Sequence, residues 1–157
     1  MAAITLGKAL KMKNRLTGRL AKVQADIQAY NSVPEGQAGQ VNVPALMKTR
    51  EELVGALVNL KTAINDANRE AQRDIYDLAE KKGTVQFLAG VITRHGPLPA
   101  AYPSTTEINY VAALKKADVD GMVAGLEKEI DQLQDRLDQF NHERKIEVDG
   151  RILELAS

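Results

Sequence analysis

VDGMVAGLEKEIDQLQDRLDQF, residues Val119 to Phe140, decides the fold. Val119, Val123, Leu126, Ile130, Leu133, Leu137 and Phe140 recur at spacings of 4, 3, 4, 3, 4 and 3 over three heptads. Such an a/d stripe requires a second helix laid against it. Working outward from it, the chain supplies three more stripes of the same kind.

The first is N-terminal. Thr5 is placed to cap a helix running to about Tyr30, in which Leu6, Ala9, Lys13, Leu16, Leu20, Val23, Ile27 and Tyr30 keep 3-4 spacing. At about 1.5 Å per residue that helix is a rod of roughly 40 Å. Pro34, Gly36 and Gly39 stop it and make a loop. Gln40 to Val43 alternates and reads as a short strand, and Pro44 suits the first position of a second helix. Leu46, Arg50, Leu53, Leu57, Leu60, Ile64, Ala67 and Ala71 carry the second stripe. Residues 1–71 therefore read as a long antiparallel helical hairpin.

The third stripe lies in residues 74–94, through Ile75, Leu78, Lys82, Val85, Ala89 and Ile92. Val85 to Ile92 is apolar on nearly every side, so a buried strand competes there; the unbroken spacing from Ile75 favours helix. Residues 95–117 read as a loop and extended arm. Gly96, Pro97, Pro99 and Pro103 break the chain, and Glu107 to Val111 alternates as a short strand. Asp118 is the expected N-cap of the fourth helix, 118–142. In Lys145 to Leu155, Asp149-Gly150 between two alternating runs signals a β-hairpin.

The expected class is all-α: one domain over 1–157, an antiparallel helical bundle or coiled coil of about four main helices, with short β segments at loops and the C-terminus. Composition agrees. Hydrophobic residues make up 44% and charged residues 27%, but aromatics only 4% with no Trp. A core with so few rings is built from Leu, Ile, Val and Ala, which suits helix seams. No Cys is present, which excludes disulfides and thiolate metal sites. The opening apolar run is too short for a signal peptide and meets Lys8, Lys11 and Lys13. The longest apolar run, Val85 to Ile92, is far below the roughly 18–20 residues of a bilayer span. The expected location is the cytoplasm, or the inside of a viral or protein particle.

Little in the chain points to chemistry. His95 lies in a Gly/Pro loop and His142 just past the fourth helix, neither with a second ligand at metal-binding spacing. A solvated or locally hydrogen-bonded histidine is the plain reading of both. There is no GxSxG, no phosphate-binding glycine loop and no dinucleotide fingerprint. No enzyme, cofactor or metal is expected.

Charge is more informative by position than in sum. Lys+Arg and Asp+Glu both number 21, so the net charge is zero and gives no general pull toward nucleic acid. Yet Lys8, Lys11, Arg15, Arg19 and Lys22 line one face of the first helix, while Glu127, Asp131 and Asp138 share a face of the fourth. These are either two solvated faces, or a basic helix of one copy meeting an acidic helix of another. Gly121 and Gly125 lie one turn apart in the fourth helix, where each costs roughly 1 kcal/mol relative to Ala. Close approach of another backbone would explain them.

LGKALKMKNRL (Leu6–Leu16), Ile64-Asn65 with Asn68, DLAEKK (Asp77–Lys82), EINYV (Glu107–Val111), Asp118-Val119 and Asn141 follow in a telling order and spacing. In these the chain resembles a family of small bacterial helical proteins, some of them labelled septicolysin-like, over most of its length. That family usually has Trp where this chain has His142, and ends soon afterwards. The resemblance implies a coiled-coil-like, oligomeric helical protein; the label implies a cytolytic, membrane-active one. The chain lacks the aromatic-rich amphipathic helix of interfacial proteins.

The reading is a non-enzymatic structural or assembly protein, a homo-oligomer, such as a scaffold or a component of a phage particle. Its self-association candidates are Val119, Val123, Leu126, Ile130, Leu133, Leu137, Gly121 and Gly125. Other protein subunits are possible partners; membrane and nucleic acid are not expected. Two alternatives stay open: a membrane-active protein, and a nucleic-acid-binding module using Lys8, Lys11, Arg15, Arg19 and Lys22.

Overall fold

A computed structural model describes residues 1–100 and 105–157. In chain order the elements are β1 (Ala2–Thr5), α1 (Leu6–Tyr30), α2 (Val43–Asn68), α3 (Gln72–Ala89), β2 (Gly96–Pro99), β3 (Glu107–Tyr110), α4 (Lys116–Glu143), β4 (Lys145–Val148) and α5 (Gly150–Ala156). The protein is mainly helical with short antiparallel strands, in keeping with the helical class expected. The chain forms two compact units, Met1–Ala71 with Asp138–Ser157, and Gln72–Leu137. Residues 101–104, in the middle of the expected 95–117 loop, lie outside the described residues.

The first unit is built on α1 and α2. Thr5 caps α1 as expected: its hydroxyl accepts from the Lys8 N–H at 3.2 Å. Asn42 caps α2, accepting from the Ala45 N–H at 3.0 Å. This overturns the strand expected at Gln40–Val43, because Val43 already opens the helix and Pro44 follows in its first turn. The two helices run antiparallel. The Leu6 N–H at the start of α1 donates to the Arg144 carbonyl at 2.7 Å, and Arg144 pairs with Glu70, just past the end of α2, at 3.0 Å. Leu6, Leu16, Leu53 and Leu60 are fully buried between them. Met12, not Lys13, fills the α1 stripe.

The C-terminal hairpin is a strand followed by a helix. β4 pairs with β1 in antiparallel register, Ile4 opposite Ile146 and Ala2 opposite Val148. It pairs neither with residues 41–43 nor with residues 108–110. Asp149 is an N-cap rather than a turn residue, accepting from the Arg151 N–H at 2.9 Å. Asp serves both purposes equally well. The decision comes from Ile152, Leu155 and Ala156, which at spacings of 3 and 1 fall on one helical face and are all buried. Gly7 is there for room: a Cβ on it would stand 3.3 Å from the Asn141 carbonyl oxygen.

The second unit holds α3, β2, β3 and α4 as far as Leu137. A single 3-10 turn, Arg69–Ala71, stands between α2 and α3. The Val85–Ile92 ambiguity resolves as helix up to Ala89, shorter than the 74–94 expected. At Gly90 the last turn tightens, with Gly90 N–H on the Phe87 carbonyl at 3.0 Å and Val91 N–H on Leu88 at 3.1 Å. Ile92 is left 74% exposed. Asp118 is not the cap of α4. The helix begins two residues earlier, and the Asp118 carboxylate reaches back to the Lys115 N–H at 2.9 Å. That is the third-position half of a capping box.

Two ion pairs tie α4 to α3: Lys81–Glu129 at 2.7 Å and Arg136–Asp74 at 3.1 Å. Early α3 meets late α4, so the helices run antiparallel, and the paired positions stand one heptad apart on both. The proline-bearing segment expected to be loop carries a strand. β2 pairs antiparallel with β3, Leu98 opposite Ile108 and Pro97 opposite Asn109.

Candidate functional surfaces

On α4 the predicted stripe is the stripe that faces inward. Val119, Leu133 and Leu137 are buried, and Val123, Leu126 and Ile130 are half-buried. Ile75, Leu78 and Val85 of α3 are half-buried too, and Leu88, rather than Ala89, completes that side. A pair of helices cannot cover both stripes all round, and the middle of the α4 stripe keeps contact with solvent. Gly121 and Gly125 are exposed, and a Cβ on either would meet nothing within 4 Å. The close approach that would explain them is therefore not made within the described residues.

The same unit carries large apolar side chains in solvent. Phe87 is 69% exposed and Val111 81%, and Ile92, Leu114 and Met122 also stand out. Its buried hydrophobics, among the described residues, are Leu88, Val119, Leu133 and Leu137. The first unit, by contrast, buries Ile4, Leu6, Leu16, Leu53, Leu60, Ile146, Ile152 and more in one cluster. Sequence reading put Ile92 on a stripe to be covered and gave Phe87, Leu114 and Met122 no role; only their lack of cover marks them.

The basic face of α1 is divided. Lys8, Lys11, Arg15 and Lys22 are exposed as expected. Arg19 is occupied: its Nη1 donates to the Leu155 carbonyl at 2.7 Å and so caps α5. Lys8 and Arg15 also border a depression of about 290 Å³ beside Leu153 and Ser157. Lys8 and Lys11 line a second, open depression of about 460 Å³ with Thr5, Asp138, Asn141 and His142. Of the acidic face of α4, Asp138 alone lines this depression.

The electrostatics are those of surface ion pairs. The Lys81 amine is held above its ordinary value by its hydrogen bond to Glu129, with the charges of Asp77 and Glu129 adding to it. Arg151 is raised by its hydrogen bond to Glu52, 2.7 Å away, and by Glu154. His95 Nδ1 accepts from the Ala112 N–H at 3.2 Å, a local clamp on the segment after β3. Among the described residues no group of three His, Asp or Glu side chains is arranged to hold a metal ion. No helix of theirs is long and apolar enough to cross a membrane.

No protein-family model matches the chain, and no curated protein matches it. In structure the chain is similar to a functionally unknown conserved protein from Corynebacterium diphtheriae, known from its crystal structure. The two are 21% identical and superpose with a TM-score of 0.70 over 93% of this chain and 100% of that one. That likeness is one of fold.

Proposed function

We propose that the chain is a non-enzymatic assembly protein that associates with itself through its second unit. The observation that carries this is the uneven cover of that unit. Val123, Leu126 and Ile130 stay half-open on α4 while Phe87, Ile92, Val111, Leu114 and Met122 stand in solvent. Apolar surface left in water costs about 25 cal/mol for each Å² that a partner could remove. The ion pairs Lys81–Glu129 and Asp74–Arg136 run α3 and α4 antiparallel, yet the two backbones make little close approach, which leaves room for further helices against their apolar sides. A scaffold or particle component, resembling the helical septicolysin-like proteins in build, is the role this surface suits.

Light scattering behind size exclusion tests it. A discrete multimer is expected, and Phe87→Glu with Met122→Glu, both exposed in the single chain, should lower its mass with the helix content kept. A wild-type chain that stays monomeric at high micromolar concentration would defeat the proposal. Leakage from anionic liposomes by the monomer would transfer the surface to a membrane instead.

A further inference from the structure

We propose that the outer edge of β3 with the residue after it, Glu107 to Val111, pairs antiparallel with the same edge of a second copy, centred on Asn109. This deepens, and rests on, the self-association reading above.

The two edges of the β2–β3 sheet differ. The Ala100 N–H donates to the Thr106 carbonyl at 2.9 Å, so it points toward β3. Backbone groups alternate sides along a strand. Leu98 and Gly96, opposite Ile108 and Tyr110, therefore also serve β3, and Pro97 and Pro99 fall on the outer edge. Proline has no N–H to offer, so that edge is sealed at both positions. On β3 the same alternation turns Ile108 and Tyr110 toward β2 and leaves Glu107 and Asn109 facing outward, with Val111, the residue after the strand, next in that row. Among the described residues β3 pairs with β2 alone, and no other backbone bond reaches those three. No proline or lysine blunts the stretch. It ends at Ala112, whose N–H is taken by His95.

The occupant that fits is a second copy. The free edge is 107–111, and the antiparallel register centred on Asn109 uses all of it. In that register Glu107 lies opposite Val111, so no carboxylate faces another. Ile108 lies beside Tyr110, a β-branched side chain against an aromatic ring, which is a favoured cross-strand pair. Ile108 and Val111, 44% and 81% exposed, would gain cover. The pairing is two-fold symmetric and closes on itself. Its product is a four-stranded sheet in the order β2, β3, β3, β2. Both outer edges then carry prolines, so growth stops at two copies. A two-stranded sheet this small is marginal alone, and doubling it strengthens both halves.

The absence of native cysteine makes the register directly testable. Directly opposed residues of a hydrogen-bonded antiparallel pair have Cα atoms about 5.5 Å apart, inside the disulfide range of about 4.4–6.8 Å. Full-length Asn109→Cys should therefore oxidise to a covalent dimer. Glu107→Cys and Val111→Cys should each stay largely single alone but cross-link when mixed. Equal cross-linking of Glu107→Cys with itself, or none by Asn109→Cys, would overturn the register. Asn109→Pro removes one outward donor and leaves the β2–β3 ladder whole, so the assembly should lose this contact and drop in mass with unchanged circular dichroism. A wild-type multimer whose mass survives Asn109→Pro overturns the edge pairing and leaves self-association standing. A wild-type monomer overturns both.

Discussion

Arg19, in the middle of the basic face of α1, donates to the Leu155 carbonyl at 2.7 Å across 136 residues of chain. A side chain that reads as part of a partner-binding stripe is thus a cap on the last turn of α5. A charged hydrogen bond of this kind contributes roughly 1.5 kcal/mol. Arg19→Met should lower the unfolding free energy by about that much. Amide exchange in residues 150–156 should quicken more than exchange in α1. Uniform protection would show that the bond does not hold α5 down.

The open space at Gly121 and Gly125 separates folding from assembly. Gly125→Ala should stabilise α4 by roughly 0.5–1 kcal/mol, the usual gain in an exposed helix interior. Gly125→Leu should fold equally well and still weaken the multimer if another copy's backbone comes close there. Unchanged mass in Gly125→Leu would remove Gly125 from the interface.

The Lys81 amine is raised by its hydrogen bond to Glu129 and by the nearby Asp77 and Glu129 charges. A folded-state value above the unfolded one means the stabilisation is whole below the ordinary lysine pKa, about 10.4. It is lost as pH climbs through the raised value. Melting temperatures of wild type and Lys81→Met should therefore differ at neutral pH and converge at strongly alkaline pH. A gap that persists there would belong to the packing of the lysine stem.

Leu60 is fully buried in the first unit, while Leu126 lies half-open in the second. Leu60→Ala should cost about 2–5 kcal/mol by chemical denaturation, as for other closed core sites. Leu126→Ala should cost clearly less in a monomer, and more when the protein concentration is raised enough to drive assembly. Equal costs at every concentration would mean that nothing covers α4 beyond α3.

Charge reversal at Lys11 and Arg15, which remain exposed, tests the nucleic-acid alternative. Retention on DNA that falls steeply with salt and vanishes in the double variant would support it. With net charge zero, no retention at low salt is the expected outcome.

Much of this was legible in the sequence, because a stripe at 3-4 spacing is a local property. Side chains on one helical face must be covered, so Val119 to Leu137, Leu53 to Ala67 and Leu6 to Val23 announced helices and their inner faces. Thr5 announced its own cap. What the sequence could not give was the choice between motifs of equal local merit. Asp149-Gly150 suits a hairpin or a helix start, and the choice fell to the helix because β1 lies ready to pair with β4 and Ile152, Leu155 and Ala156 find a core. Pro97 and Pro99 read as loop until β3 supplies a partner on the one side where their missing N–H groups are not needed. Arg19 reads as free charge until α5 brings a carbonyl to it. Periodicity is written along the chain, whereas the partner of a strand edge, a helix end or a side chain is set by residues far away, and only the tertiary structure brings those together.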